Sequence, residues 1–417
     1  MTKRFFTAQT NFYGHTDPQA LLAKYGSPLY VYNEAILRKR CQDMKNLVPI
    51  AGFTADYSIK ANSNLHILKI VHEEGLEADA MSPGEIHVLL AAGFQPEEIL
   101  FVCNNVSVDE MAYAVERGIT VSVDSLAQLE TFGQRFPGHK VAVRFNTGYG
   151  AGHHEKVVTA GKKTKFGIND DKADEVQAIL RRHNLKLCGI NQHIGSLFME
   201  ESAYVASCEA LLELAMRFSD LEFVDMGGGF GIPYRKQDGE RPLDLAPFAE
   251  RLGNAITTFQ ARYGKRPMKF KSEPGRYIVA ESCVLLGTVH SIKENNDIFY
   301  VGTDLGFNVL QRPVMYDSHH DIEVYRDGWL TDNGRRTVTV VGNICESGDK
   351  LAQERTLPFI ELGDILGVMD AGAYGYSMAS NYNHRLRPAE VLIGLDGNDR
   401  LIRRRDTFDD LMRTFPD

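Results

Sequence analysis

Residues 53–81 read FTADYSIKANSNLHILKIVHEEGLEADAM, and this stretch decides the architecture. Phe53–Ile59 has the length and composition of a strand. From Asn64 to Glu74 the apolar residues Leu65, Leu68 and Val71 recur at helical spacing, and Leu76–Met81 is strand-like again. A strand, a helix and a second strand in this order form a βαβ unit, whose strands run parallel. The alternation continues down the chain. Pro83 opens a helix through Ala92, as proline does in a first helical turn. Strand-like Ile99–Cys103, Thr120–Asp124, Lys140–Asn146, Leu187–His193, Leu221–Met226 and Met268–Glu273 follow, with helical stretches between them, the longest at Leu245–Tyr263. Eight strands in strict alternation with helices fit a closed (βα)8 barrel better than an open doubly wound sheet, the alternative architecture.

After about residue 281 the pattern changes. Val284–Ile292, Ile298–Thr303, Thr337–Val341, Asp364–Met369 and Val391–Leu395 are short β runs punctuated by Gly, Asn and Asp, and a helix returns only at Phe408–Thr414. The expected division is therefore a barrel over residues 26–280 and an all-β domain over 281–417. Residues 1–25 complete the second domain, with a strand expected around Lys3–Phe12. The chain has 417 residues, 43% hydrophobic and 24% charged, which suits ordinary globular domains with substantial cores. A formal charge of −9 argues against a nucleic-acid binder. The six cysteines, at 41, 103, 188, 208, 283 and 345, form no CxxC pair. No run approaches the ~18 apolar residues of a membrane helix, and the N-terminus lacks a signal-peptide core. A cytoplasmic location without membrane association is the expectation.

A barrel places its chemistry at the C-terminal ends of its strands. Lys60, Asp79, Asp124, Arg144, His193, Gly227–Gly229 and Glu273 all fall there. A lysine buried at a strand end has its charged form disfavoured and becomes an amine nucleophile; at the rim it is simply solvated. The run Gly227-Gly228-Gly229-Phe230-Gly231 lets backbone N–H groups approach a phosphate, or forms a tight turn. Glu273-Pro274-Gly275-Arg276 is either an ion pair within one loop or a carboxylate and a guanidinium aimed at a ligand. His153-His154 and His319-His320 lack metal-ligand spacing and read as loop residues. GxSxG is absent, so an α/β-hydrolase is not supported.

In order along the chain stand Tyr57-Ser-Ile-Lys-Ala-Asn, His193-Ile-Gly-Ser, Gly227-Gly-Gly, Glu273-Pro-Gly-Arg, Arg312-Pro-x-x-Tyr316, Cys345-Glu-Ser-Gly-Asp and Asp370-Ala-Gly-Ala-Tyr374. With these motifs the chain resembles the barrel-type pyridoxal-phosphate decarboxylases that share a fold with alanine racemase, and among them the diaminopimelate decarboxylases. The resemblance spans the chain from Pro28 to Arg405. It implies that Lys60 carries pyridoxal 5′-phosphate covalently, that His193 stacks on the ring with Glu85 orienting it, and that Glu273 pairs with the ring nitrogen. Ser196, Gly227, Gly228, Gly229, Gly275 and the Arg276 backbone would hold the phosphate; Asp79, Arg144, Pro274 and Tyr374 complete the cofactor set.

On the same basis Arg276, Arg312 and Tyr316 would bind substrate carboxylates, Tyr374 would reach both cofactor and substrate, and Glu346 would bind an ammonium group. Cys345 would be the proton donor to Cα. The Cys345–Glu346 loop would enter the site of another subunit, making a homodimer with shared sites. The family's usual His-x-His is here Asn191-Gln192-His193, so the supporting role of the first histidine is in question. A carboxylate facing the ring nitrogen favours decarboxylation over racemisation, because a protonated ring withdraws electrons better. Two carboxylate-binding arginines and one acidic residue imply a diamino diacid such as meso-diaminopimelate, with L-lysine as product. Ornithine, a D-amino acid or a carboxylated polyamine is the alternative substrate. A homologue that binds without turnover typically lacks the lysine, the acid or the cysteine, and all three are present.

Overall fold

The computed structural model describes residues 5–148, 164–264 and 267–416. They divide into two compact units, one of residues 40–232 and 242–278, the other of residues 5–39, 233–241 and 279–416.

In the first unit the strands Phe53–Ser58, Glu77–Ala80, Ile99–Val102, Thr120–Val123, Lys140–Asn146, Lys186–Asn191, Phe223–Asp225 and Lys269–Ser272 pair in parallel, each with the next. Pairing of Lys269–Ser272 with Phe53–Ser58 closes the ring. This is the expected (βα)8 barrel. Its helices start and stop on local chemistry: Ser82 caps Pro83–Ala92 by accepting the Glu85 N–H, and Gly93 ends it in the left-handed region. A buried cluster of Leu100, Val102, Ala142, Cys188 and Phe223 joins strands from opposite sides of the ring, as a filled barrel interior requires. Below the mouth, buried Lys271 bridges Asp56 (2.9 Å) and Glu77. The charges of Asp56 and Glu77 outweigh the burial that disfavours the Lys271 ammonium, and its pKa is raised.

The second unit is a ten-stranded mixed sheet. The expected β runs appear as Cys283–Asn295, Ile298–Thr303, Arg336–Val341, Ile365–Val368 and Ala389–Ile393, and the last helix as Phe408–Met412. Ile322–Arg326, Trp329–Leu330, Lys350–Leu357 and Asp399–Arg403 complete the sheet. The N-terminal contribution differs from expectation. Phe6–Thr10 is a short helix, and the strand is Leu29–Asn33. All five residues of that strand are buried, because it lies between two partners: Val31 faces Val284 in an antiparallel pair and Val391 in a parallel one. The division expected at residue 26 thus falls before a central strand of the β unit. Phe12, Leu29, Val31, Val284, Ile365 and Val391 form its core. Among the described residues no helix is long and apolar enough to cross a membrane, and no group of His, Cys, Asp and Glu could hold a metal ion. His153-His154 lie outside the described residues.

Candidate active site

Lys60 sits in a single 3-10 turn, Ile59–Ala61, directly after the first barrel strand. The turn is pinned on both sides. The Ser58 N–H donates to the Pro274 carbonyl (3.1 Å), and the Tyr57 hydroxyl donates to the Asn62 carbonyl (3.0 Å). Asn62 then accepts the Asn64 N–H, and Asn64 caps the following helix. Gly275 packs on this turn, where a Cβ would stand 3.0 Å from that of Ser58. The Lys60 charge reaches the carboxyls of Asp79, Glu85 and Glu273 and the ring of His193. All four therefore lie within electrostatic reach of the amine at the mouth of the barrel.

Three buried carboxyls share this mouth and are driven apart. Burial, then the charge of Glu273, pushes Asp79 well above the usual carboxylate range, and Asp225 is raised for the same two reasons. Glu273 is also penalised by burial, but the His193 ring, the Lys60 charge and the Asp225 carboxyl outweigh it, so its pKa is lowered. Of the three, Glu273 is the one whose ionised form the surroundings favour. Its Oε2 lies 3.6 Å from His193 Nδ1, while its buried Oε1 has no hydrogen-bond partner. Burial lowers the His193 pKa to about 4, with the Lys60 charge adding to it against the pull of Glu273. The Gly228 N–H also approaches Nδ1, at 3.2 Å. Arg144 stands over the Phe166 ring, and Glu273, Asp124, Asp225 and Asp79 support its charge against burial.

The glycine run has a packing reason of its own. A Cβ on Gly228 would meet the Glu273 carbonyl oxygen at 1.7 Å, and Gly229, at φ +113°, would meet the Gly195 carbonyl at 2.4 Å. The backbone thus runs hard against the loops that carry His193 and Glu273. Arg276 Nη2 donates to the Ser196 hydroxyl (3.0 Å), tying the eighth strand end to the sixth. The barrel unit therefore gathers Lys60, Asp79, Arg144, His193, Ser196, Gly227–Gly229 and Glu273–Arg276, all of them expected from the sequence.

The remaining expected residues belong to the β unit. Arg312 is buried at the start of a short helix, Arg312–Tyr316, and donates to His320 Nε2 (2.8 Å). Tyr374 ends the loop Asp370–Tyr374, with φ +56° at Tyr374 and +59° at Asp370. Cys345 and Glu346 are exposed on a loop that Asp349 closes, its two carboxylate oxygens accepting the Phe307 and Ile344 N–H groups. The Tyr382 hydroxyl donates to Glu346 at 2.6 Å.

Residues 34–280 match the family described as pyridoxal-dependent decarboxylase, pyridoxal binding domain. The diaminopimelate decarboxylase of Methanothermobacter thermautotrophicus is 41% identical over 96% of this chain and 94% of its own. The chain belongs to the diaminopimelate decarboxylase family. Solved structures agree with that placement. A crystal structure of diaminopimelate decarboxylase matches with a TM-score of 0.87 at 37% identity, over 94% of both chains. The Helicobacter pylori diaminopimelate decarboxylase complexed with L-lysine matches with a TM-score of 0.86 at 30% identity, over 95% of this chain and 98% of the other.

As a pyridoxal-dependent decarboxylase the chain uses pyridoxal phosphate, and the barrel mouth fits that group. The unpartnered, buried Oε1 of the ionised Glu273 suits a ring N–H donor, and Lys60 supplies the amine. The question over Asn191 resolves into packing. The fully buried Asn191 accepts the Ser122 hydroxyl at its Oδ1 (2.7 Å). Glu85, expected to orient His193, accepts the Met81 N–H at 2.6 Å and so braces its own helix start. Sequence reading missed Asp225, Asp56 and Lys271, whose inward positions follow from strand alternation although nothing marked their charge. It also set His320 aside as a loop residue.

Proposed function

We propose that this decarboxylase releases CO2 from meso-2,6-diaminopimelate and yields L-lysine, the last step of lysine biosynthesis, in the cytoplasm. The observation that carries the reading is the buried, ionised Glu273 beside Lys60, an arrangement that stabilises positive charge on a ring nitrogen and so favours loss of a carboxylate. Bound there, pyridoxal phosphate supplies the electron sink for the pair left at Cα.

The chain's own residues do the rest. Lys60 anchors the cofactor, and the neutral His193 ring offers a flat, unsolvated face to it. Ser196, the Gly227–Gly229 backbone and the Gly275–Arg276 peptide hold its phosphate, with Asp79, Arg144, Pro274 and Tyr374 completing the surround. Arg312 with Tyr316 grips the carboxylate that survives, Arg276 the other substrate carboxylate, and Glu346 the distal ammonium. Cys345 delivers the proton that replaces CO2. An exposed Cys345–Glu346 loop supports its service to the site of a second copy, in a homodimer with shared sites. A site that requires both distal charges leaves them unpaired with simpler substrates, a discrimination of roughly 10⁴-fold in favourable cases.

CO2 release from a panel of diamino acids tests the reading. The diamino diacid is expected to turn over and ornithine to be negligible, with Arg312→Ala abolishing the preference. Equal turnover of ornithine, or an Arg312→Ala variant with unchanged preference, would overturn the substrate assignment.

A further inference from the structure

Arg312 is 2% exposed, among the most deeply buried large side chains of the β unit. A guanidinium has donors only, so in such a place its neighbours have to be acceptors or π-faces. Two are in position. Nη1 donates to His320 Nε2 at 2.8 Å, and the guanidinium carbon lies 4.5 Å from the centroid of the Tyr234 ring. Tyr234 also meets the His320 ring edge-on, with centroids 5.3 Å apart. On its other side His320 Nδ1 faces the Met369 carbonyl oxygen at 2.7 Å.

These partners dictate the state of the imidazole. A carbonyl only accepts and a guanidinium only donates, so Nδ1 carries the hydrogen and Nε2 offers a lone pair. Met369 follows the strand Ile365–Val368 directly, and its N–H donates to the Asp321 carbonyl (2.9 Å). The ring is thus referenced to the sheet. Tyr234 is held by the residues after it: Lys236 bridges Asp370 (2.7 Å) and Glu281 (3.2 Å), and the Gln237 N–H donates to Asp321 (2.9 Å).

Two-pronged capture of a carboxylate needs the plane of the guanidinium fixed, because both N–H groups must point together. The geometry points to His320 as a positioning residue that sets the plane of Arg312 for the substrate's surviving carboxylate, with Tyr234 as the platform beneath it. This rests on the assignment of Arg312 to that carboxylate under the proposed function.

The test is steady-state kinetics of the cofactor-loaded enzyme on meso-diaminopimelate for Arg312→Ala, His320→Asn, His320→Gln and the Arg312→Ala/His320→Asn pair. Asparagine keeps an N–H for the Met369 carbonyl but is too short to reach Arg312, whereas glutamine restores an acceptor near the Nε2 position. His320→Asn is expected to raise KM about tenfold, the scale of one hydrogen bond to a charged group, with kcat nearly unchanged. His320→Gln should recover most of that affinity, and His320→Asn should add nothing once Arg312 is alanine. An unchanged KM in His320→Asn, or an equal further rise in the paired variant, overturns the inference. If Arg312→Ala itself leaves KM unaltered, the carboxylate assignment is what fails. Should His320→Asn not fold, Tyr234→Leu removes the platform and leaves both hydrogen bonds: a raised KM supports the inference and an unchanged one overturns it.

Discussion

The mouth of the barrel and the loops of the β unit carry chemistry in different physical settings. At the mouth, side chains leave strand ends or the turns after them, are buried or half-buried, and lean on one another's charges. Lys60, Glu273, His193, Asp79 and Asp225 form one electrostatic set in which burial moves most of the titrations. On the β unit, Tyr374 stands in the left-handed region, and Cys345 and Glu346 are exposed. The first region makes a largely desolvated cup that suits a bound cofactor. The second carries the groups proposed to read the substrate, on loops held by a few specific bonds such as those of Asp349 and His320. One region is placed by the barrel's topology, the other by individual side-chain bonds.

The largest effect separates the two regions outright. Lys60→Ala should lower kcat by about 10⁴-fold or more, because no other described group at the mouth supplies a nucleophilic amine. Borohydride should fix the cofactor to the wild-type protein and not to this variant. Retained turnover, or fixation at another lysine, would move the chemistry away from the mouth.

A second experiment asks whether the loop region serves a different copy of the mouth. Lys60→Ala and Cys345→Ala subunits, each nearly inactive alone, are mixed in equal amounts after dissociation. If sites are shared across a two-fold dimer, random assortment should recover about a quarter of wild-type activity, since half the dimers carry one intact site. Recovery no greater than the sum of the separate variants would confine both groups to one chain.

The same contrast explains what was legible in the sequence. Eight repeats of strand and helix place Lys60, Arg144, His193 and Glu273 by topology, so the mouth follows from periodicity and the barrel rule together. Asp56, Asp225 and Lys271 also follow strand alternation, but whether an inward acid is charged depends on neighbours from other strands, which no local pattern reports. Leu29–Asn33 went unread as a strand because burial on both faces removes the polar–apolar alternation that marks one. Lys350–Leu357, with Lys, Gln, Glu and Arg in its sequence, was hidden for the opposite reason: it pairs on one side only. Arg312, Cys345 and Tyr374 were found through motif resemblance, because irregular loops have no period. His320 escaped both routes, since its role is set by Arg312 on one side and a carbonyl forty-nine residues away on the other.

The smallest effect sharpens the claim that the mouth is dry. His193 titrates near 6.5 when exposed and is lowered to about 4 in the fold, chiefly by burial. Between those values the unfolded chain binds the extra proton, so this residue's contribution to stability rises with pH. It is fully present above about 6.5 and lost as pH falls to about 4, an amount of roughly 3 kcal/mol at about 1.4 kcal/mol per pKa unit. Asp56 works with the opposite sign. Burial raises it from 3.8 to about 6, so the folded state holds its proton longer and its contribution weakens as pH rises through that window. The total curve therefore mixes the two, and the informative quantity is a difference. Denaturant unfolding of cofactor-stripped wild type and His193→Gln between pH 7.5 and pH 4 (roughly the span of both shifts) cancels Asp56, which is common to both, and reads the histidine together with the lowering its ring imposes on Glu273, which has the same sign. Wild type should lose stability relative to the variant as the solution is acidified. Parallel curves would mean that water reaches the ring, and the contrast between a dry mouth and a solvated loop would fail at its central residue.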